Sequence, residues 1–453
     1  MPFDDSPGGR PVGGLDVSEI KTTVGLLGCG NVGSGVAKML LEDHDFINEK
    51  MGWPLALAKI AVRRLEADRP YNPPADFLTT DPGQIVGNRK IQVVAELMGG
   101  LEPARTLVLE AIRSGQHVVT ANKALLAHHG REIFAAAARH KVEVLFEAAV
   151  AGGIPIIRTL KEGLSANRFS HIFGILNGTT NYILTRMTRD GLTFQASLAE
   201  AQAAGYAEAD PTLDVEGLDA AHKLILLTAL AYGTLPALEG LHVEGITSLM
   251  PEDIEYAREL GYVIKLLAVS ARDEEGRLEV RLHPAMLPRT HILAEISGPL
   301  NAVLISGHAA GDVLLNGAGA GMMPTASSVL ADLMDLARAD RVKSTSRVPS
   351  LGWSILRDES PKLMSETRTA YYLRFTVADR PGVLAAIAKL LAERGISLAQ
   401  VIQKNPLPGQ EAVTLVMLTH LAQERDLKAA LADSDRLEAV LAPTRLIRVE
   451  TRL

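Results

Sequence analysis

The feature that most constrains the fold is Gly28-Cys29-Gly30-Asn31-Val32-Gly33, because it stands between the apolar run 22–27 and a helical stretch beginning at Val36. Glycines at this spacing make a tight turn, let backbone approach a pyrophosphate, and aim the N-terminus of the next helix at its charge. Alone the pattern is weak. After a buried strand and before a helix it reads as the first unit of a dinucleotide-binding domain, with Gly28, Gly30, Asn31, Val32 and Gly33 as cofactor contacts. Further apolar segments at 56–62, 91–97, 117–120 and 142–147 recur with helical stretches between them, which predicts an α/β, doubly wound parallel sheet of the Rossmann kind.

An NAD-specific site would carry an acid at the end of the second strand, to bond the ribose 2′-hydroxyl. This chain carries Arg63 and Arg64 there. Guanidinium groups suit a 2′-phosphate, so NADP(H) is expected in preference to NAD(H), with Arg63 the nearer group; a solvated basic pair is the alternative. Cys29 is the one cysteine of the chain, so neither an internal disulfide nor a multi-thiolate zinc site can form. It reads as a small residue tolerated between glycines rather than a redox switch. Its place under the pyrophosphate disfavours acyl-thioester chemistry on the substrate side.

The 53 acidic residues outnumber the 46 basic ones, and the 4% aromatic content offers few stacking surfaces, so nucleic acid is not an expected partner. No apolar stretch approaches the roughly 20 residues of a membrane span. The N-terminus lacks a basic patch followed by an apolar run, and cytoplasmic residence is expected.

The organisation expected is a flexible tail (1–20), a cofactor domain (21–150, with a returning segment 310–340), an α+β substrate and dimerisation domain (151–309), a linker (341–368) and a C-terminal module (369–453). Residues 371–449 read strand, helix, strand, strand, helix, strand, which predicts a ferredoxin-like βαββαβ fold.

Two lysines stand out. Lys123 follows the segment 117–120 at the carboxyl end of a strand, where doubly wound sheets bind ligands, although a surface lysine would have the same spacing. Lys223 lies four residues after Asp219 on a helix that becomes apolar nearly all round, so the pair belongs at the edge of buried surface; a plain salt bridge is the bland alternative. With Glu208, Asp210, Asp214 and Glu216, Asp219 completes a cluster of carboxylates suited to a zwitterionic ligand.

Three runs, Gly174 to Ile183, Gly205 to Pro211 and Leu213 to Lys223, together with the glycine-rich turn, Thr120 to Lys123 and Gly317-Ala318-Gly319-Ala320-Gly321, resemble homoserine dehydrogenase over residues 21 to 340. Asp379-Arg380-Pro381-Gly382 and Ile396-Ser397-Leu398 resemble an ACT domain. The resemblance implies hydride transfer between a nicotinamide cofactor and L-homoserine or L-aspartate 4-semialdehyde, supplying threonine and methionine precursors. It implies Lys223 as proton donor with Lys123 beside it contacting substrate and cofactor, Glu208 on the substrate ammonium, and Asp214 and Asp219 as orienting groups. It further implies Thr179 and Tyr206 at the substrate, and Gly321 near the nicotinamide. Glu147, Val150, Gly152 and Ile154 would hold a sodium or potassium ion, mostly through backbone oxygens. A threonine effector at the ACT-like module and a homodimer or homotetramer follow in the same way, and the chain is expected to be monofunctional, without an aspartate kinase domain. The competing readings are a dehydrogenase of other small amino or hydroxy acids, and a non-catalytic nucleotide and amino-acid sensor.

Overall fold

In the computed structural model, which describes residues 21–342, 348–404 and 412–452, six strands form one parallel sheet: β1 (Thr22–Leu27), β2 (Leu55–Ala61), β3 (Leu78–Thr79), β4 (Val93–Glu96), β5 (His117–Thr120) and β6 (Val144–Leu145). Their order is β3-β2-β1-β4-β5-β6, so the winding reverses between β1 and β4, and the crevice at the carboxyl ends of those strands is where such sheets take ligands. The strand expected over 142–147 is cut short. Glu147–Ala149 leaves the ladder in a 3-10 turn, and the Glu147 carboxylate accepts the Ile157 and Arg158 N–H groups. The expected tail 1–20 lies outside the described residues.

The second sheet has eleven strands: β7 (Phe169–Ile175), β8 (His242–Val243), β9 (Tyr262–Arg272), β10 (Leu278–Pro288), β11 (Leu300–Gly307), β12 (Gly311–Ala318), β13 (Arg368–Ala378), β14 (Leu398–Gln403), β15 (Ala412–Thr419), β16 (Ala422–Gln423) and β17 (Val440–Val449). The main path runs β12-β11-β7-β9-β10-β17-β13-β15-β14. Two expectations need correction here. Residues 311–318 of the supposed returning segment pair antiparallel with β11 along their whole length, so they belong to this sheet. The return to the cofactor domain starts at the helix Met322–Arg341, whose Ala326, Val329, Leu330 and Leu333 share one apolar cluster with Val36, Ala37 and Leu40 of the helix Asn31–Glu42.

The described part of 341–368 is a strap rather than a free linker. Trp353 donates its indole N–H to the Leu230 carbonyl at 2.7 Å, and the buried Lys362 ammonium sits between Asp273 and Glu279 at 2.9 and 3.3 Å.

The C-terminal module has the expected ferredoxin-like order, β17-β13-β15-β14, with the helices Val383–Glu393 and Glu424–Ser434 packed on one apolar cluster. It is not spatially separate, because β17 pairs in parallel with β10 at Ala285↔Arg448 and Met286↔Val449 and so continues the substrate-domain sheet. Arg448 rivets this seam. Its buried guanidinium donates to Glu424 on the module (Nε to Oε2, 2.9 Å) and to Glu244 on the substrate side (2.8 and 3.0 Å). Removing one partner of such a pair leaves a buried charge uncompensated. Arg448→Ala is therefore expected to lower stability by about 3–5 kcal/mol, read from urea unfolding; a loss within experimental error would show that the seam carries no such weight.

Candidate active site

Lys223 projects from the helix Leu218–Tyr232, of which every residue after Leu218 is buried. Its ammonium donates to Asp219 Oδ2 and to the Leu176 carbonyl, both at 2.6 Å. Asp219 lies one turn earlier on the same helix, and its other oxygen, Oδ1, is 3.0 Å from the Lys123 ammonium. One carboxylate thus joins a lysine of the cofactor domain to a lysine of the substrate domain. The side chains differ in access: Lys223 is 9% exposed and Asp219 11%, whereas Lys123 is 38% exposed at the mouth.

Lys123 is set there by the strand before it. Glu96 ends β4, fully buried, and accepts the Thr120 hydroxyl at 2.7 Å and the Met98 and Gly99 N–H groups at 2.9 and 3.2 Å. Thr120 in turn accepts the Asn122 N–H, and Asn122 caps the helix Lys123–His140 while donating to the Gly100 carbonyl at 2.7 Å. Burial pushes the Glu96 carboxyl up, against the pull of these donors. The chain of contacts fixes the loop at the end of β4 and the first residue of the helix together.

Asn177 organises the acidic side. It caps the helix Gly178–Asp190 by accepting the Thr180 N–H at 2.8 Å, and its amide nitrogen donates to both Asp214 (2.7 Å) and Asp219 (2.9 Å). Thr179 donates to the Tyr206 carbonyl at 2.6 Å and lies 3.0 Å from Asp214 Oδ2. The expected residues Thr179, Tyr206, Asp214, Asp219, Lys123 and Lys223 therefore meet at one place, Tyr206 through its backbone, with an exposed ring tilted at 43° against that of Tyr182. Glu208 is exposed at the rim, and its charge acts on the Lys123 ammonium.

The electrostatics follow from burial and from the three charges. Burial alone would raise the Asp219 carboxyl, but the two ammonium groups and the Asn177 amide hold it well below the usual carboxylate range. Burial, with the Lys123 charge behind it, pushes Lys223 below an ordinary lysine, although Asp219 opposes this; Lys123 is raised, mainly by Asp219. Asp214 is raised by burial and by Asp219. A lysine that gives up its proton more easily than usual, fixed by two acceptors and beside a partly exposed second cation, can donate a proton to an oxygen that is gaining charge.

The glycine-rich turn faces the same crevice from below. Gly28 has φ +104°, and a side chain there would strike the Leu97 carbonyl; a Cβ on Gly33 would come 2.3 Å from the Gly28 carbonyl, so both positions must be bare for the turn to close. The space above Gly30 is open, with nothing within 4 Å of a Cβ added there. The cradle thus leaves room for a diphosphate over the start of the helix Asn31–Glu42. Asn31 and Val32 open that helix. Cys29 is buried and its thiol is pushed up by burial, which suits a packing residue and not a nucleophile. Arg63 and Arg64 are exposed just beyond β2, and Arg69, which the sequence reading missed, braces their loop by donating to the Leu65 and Ala67 carbonyls at 2.9 and 2.7 Å. Gly321 stands at the start of the helix Met322–Arg341 with φ +117°.

The turn 147–154 presents backbone rather than side chains. The Glu147 carboxylate is spent on the Ile157 and Arg158 N–H groups at 2.8 and 2.9 Å, and the Gly152 carbonyl accepts the Ser328 hydroxyl at 2.7 Å. Among the described residues no group of three or more His, Cys, Asp or Glu side chains could hold a metal ion, and no helix is long and apolar enough to cross a membrane.

A doubly wound dinucleotide fold whose crevice joins two lysines to buried carboxylates defines a nicotinamide-dependent dehydrogenase of a small polar substrate. Comparison with known proteins narrows this. Residues 28–147 match the NAD-binding domain of homoserine dehydrogenase, 155–334 the homoserine dehydrogenase family proper, and 371–438 the ACT domain. The chain is 46% identical to homoserine dehydrogenase of Pseudomonas aeruginosa, covering 94% of this chain and 98% of that one. Its structure resembles the crystal structure of a homoserine dehydrogenase from Thiobacillus denitrificans with a TM-score of 0.89 at 47% identity, over 95% and 98% of the two chains. A hyperthermophilic archaeal homoserine dehydrogenase mutant in complex with NADPH matches at 26% identity and a TM-score of 0.60, over 71% of this chain and 98% of that one. The chain belongs to the homoserine dehydrogenase family, and it is an oxidoreductase that interconverts L-homoserine and L-aspartate 4-semialdehyde.

Beside the lysines lies His222, whose ring meets His128 edge-on at 5.3 Å and so links the helices carrying Lys223 and Lys123. Burial, and then the His128 ring, push the His222 imidazole down to about 4. An unfolded histidine titrates at about 6.5, so between these values the unfolded chain binds a proton that the folded chain refuses. The stability contributed by neutral His222 is complete above the upper value and lost as pH falls to the lower. His222→Gln is expected to flatten the pH dependence of urea-unfolding stability in that window by up to about 1.4 kcal/mol per pH unit; an unchanged slope would show that His222 is not what the acid titrates.

Proposed function

We propose that Lys223 is the proton donor to the aldehyde oxygen in the reduction of L-aspartate 4-semialdehyde, and the acceptor of the hydroxyl proton in homoserine oxidation. The observation that carries this is the single Asp219 carboxylate bonded to both Lys223 and Lys123 at the mouth of the crevice. The nicotinamide, when bound, supplies or accepts the hydride. As hydride reaches the carbonyl carbon, charge gathers on oxygen, and two ammonium groups beside it lower the cost before one of them gives up its proton. Glu208 binds the substrate ammonium from the rim, while Asp214, Asp219, Thr179 and Tyr206 orient the substrate. Gly321 approaches the nicotinamide side of the cofactor. A non-catalytic sensor would have no need of a desolvated lysine held against two acceptors.

NADP(H) is the preferred cofactor, held at its 2′-phosphate by Arg63. The exposed arginine pair after β2 supports this, as does the NADPH complex of the archaeal relative. A sodium or potassium ion is held by carbonyls of the turn containing Glu147, Val150, Gly152 and Ile154, since hard oxygen donors suit such ions. Threonine acts as an effector at the ACT domain, where Asp379, Arg380, Gly382 and Gln403 line a hollow of about 330 Å³. The working assembly is a homodimer or homotetramer, and the site of action is the cytoplasm.

Spectrophotometric assay with L-homoserine tests the roles directly. Lys223→Ala should lower kcat by at least about 100-fold while leaving cofactor affinity near its parental value; parental kcat would remove Lys223 as the proton carrier. Arg63→Asp should raise the KM for NADP+ by about 10-fold or more and leave that for NAD+ little changed, and equal KM values for NADP+ in variant and parent would refute the 2′-phosphate contact.

A further inference from the structure

The Leu176 carbonyl, which follows β7, accepts two hydrogen bonds: one from Lys223 Nζ at 2.6 Å and one from Asn301 Nδ2 at 2.9 Å. An ammonium has three protons. Lys223 commits one to Leu176 and one to Asp219 Oδ2 at 2.6 Å, so those two acceptors set the direction of the third. Leu176, Asn301 and Lys223 are all buried, which limits competition from solvent for these bonds.

Asn301 lies on β11 opposite Gly317 of β12. Its carboxamide occupies the space that a side chain at Gly319 would need, since a Cβ there would come within 2.1–2.3 Å of the three amide atoms. The other end of the group, Oδ1, is buried with no hydrogen-bond partner among the described residues. A buried acceptor left unsatisfied costs free energy that a leucine of similar size would avoid, so packing alone is a poor account of an amide at this position. From these contacts we infer that Asn301 is a positioning residue for the reaction: by donating to the Leu176 carbonyl it fixes the aim of the third Lys223 proton, and it ties that aim to the turn 317–321 packed against its other side. This rests on the reading of Lys223 as proton carrier.

The test is the pH profile of homoserine oxidation, with kcat and KM, for the full-length Asn301→Leu and Asn301→Asp variants beside Lys223→Ala. In oxidation Lys223 must be free to take a proton, so the rate rises with pH as the ammonium deprotonates. Without the Asn301 N–H, the Leu176 carbonyl is left to Lys223 alone and holds its proton more tightly, and a carboxylate at 301 adds to that hold. The expected result is a kcat at neutral pH about 10-fold lower, KM values for homoserine and NADP+ within about twofold of the parent, and an alkaline inflection displaced upwards in the order parent, Leu, Asp. A lowered kcat with an unmoved inflection would mark a merely structural role and overturn the inference, as would parental kcat in either variant. The Asp variant keeps the shape of the side chain and remains readable if the Leu variant does not fold. Lys223→Ala separates the two levels: its retention of parental kcat sinks the proton-carrier reading itself, whereas its inactivity beside parental Asn301 variants sinks only the positioning role.

Discussion

A carboxylate with an ammonium on each oxygen is the constraint around which the candidate site is built. Asp219 would be costly to bury alone, and so would Lys223; together, with Asn177 and the Leu176 carbonyl completing their hydrogen bonds, each offsets the cost of burying the other. Lys123 brings the second cation from a different domain, and it is delivered there by the Glu96, Thr120 and Asn122 relay at the carboxyl ends of β4 and β5. The crevice is therefore bridged by an ion pair between two domains, with its Lys123 end partly exposed.

The ACT domain is built into the same body. Its last strand continues the substrate-domain sheet, and Arg448 spans the seam between Glu424 and Glu244. The helix Leu218–Tyr232 that carries Lys223 packs on β7, β9 and β10 of that sheet.

Much of this was legible in the residues. The glycine-rich turn, the strand His117–Thr120 and the strand-helix alternation of the C-terminal module stand close to where the pattern put them, because local glycine chemistry and short apolar runs are local properties. The misjudged pieces share a cause. Residues 311–318 and the strap 348–368 carry little periodicity of their own, and what they become is set by a partner far along the chain: β11 in one case, and Leu230, Asp273 and Glu279 in the other. Glu96, Asn177, Asn301 and Arg69 were not singled out as site residues. Asn177 had a signal, standing before Gly178-Thr179-Thr180 as a helix cap; a lone acid or amide at the end of an apolar strand has none.

The amino-acid order by itself determined the parts whose physics is local: the bare glycines that let a helix start under a diphosphate, the Asp219 and Lys223 spacing on one helical face, and the acidic run suited to an ammonium-bearing substrate. Only the tertiary structure decided that Lys123 reaches Asp219 from another domain, that Asn301 shares a carbonyl with Lys223, and that the ACT domain continues the substrate sheet. Those contacts join residues 47 or more positions apart, and no periodicity along a chain encodes a meeting that depends on how whole sheets pack.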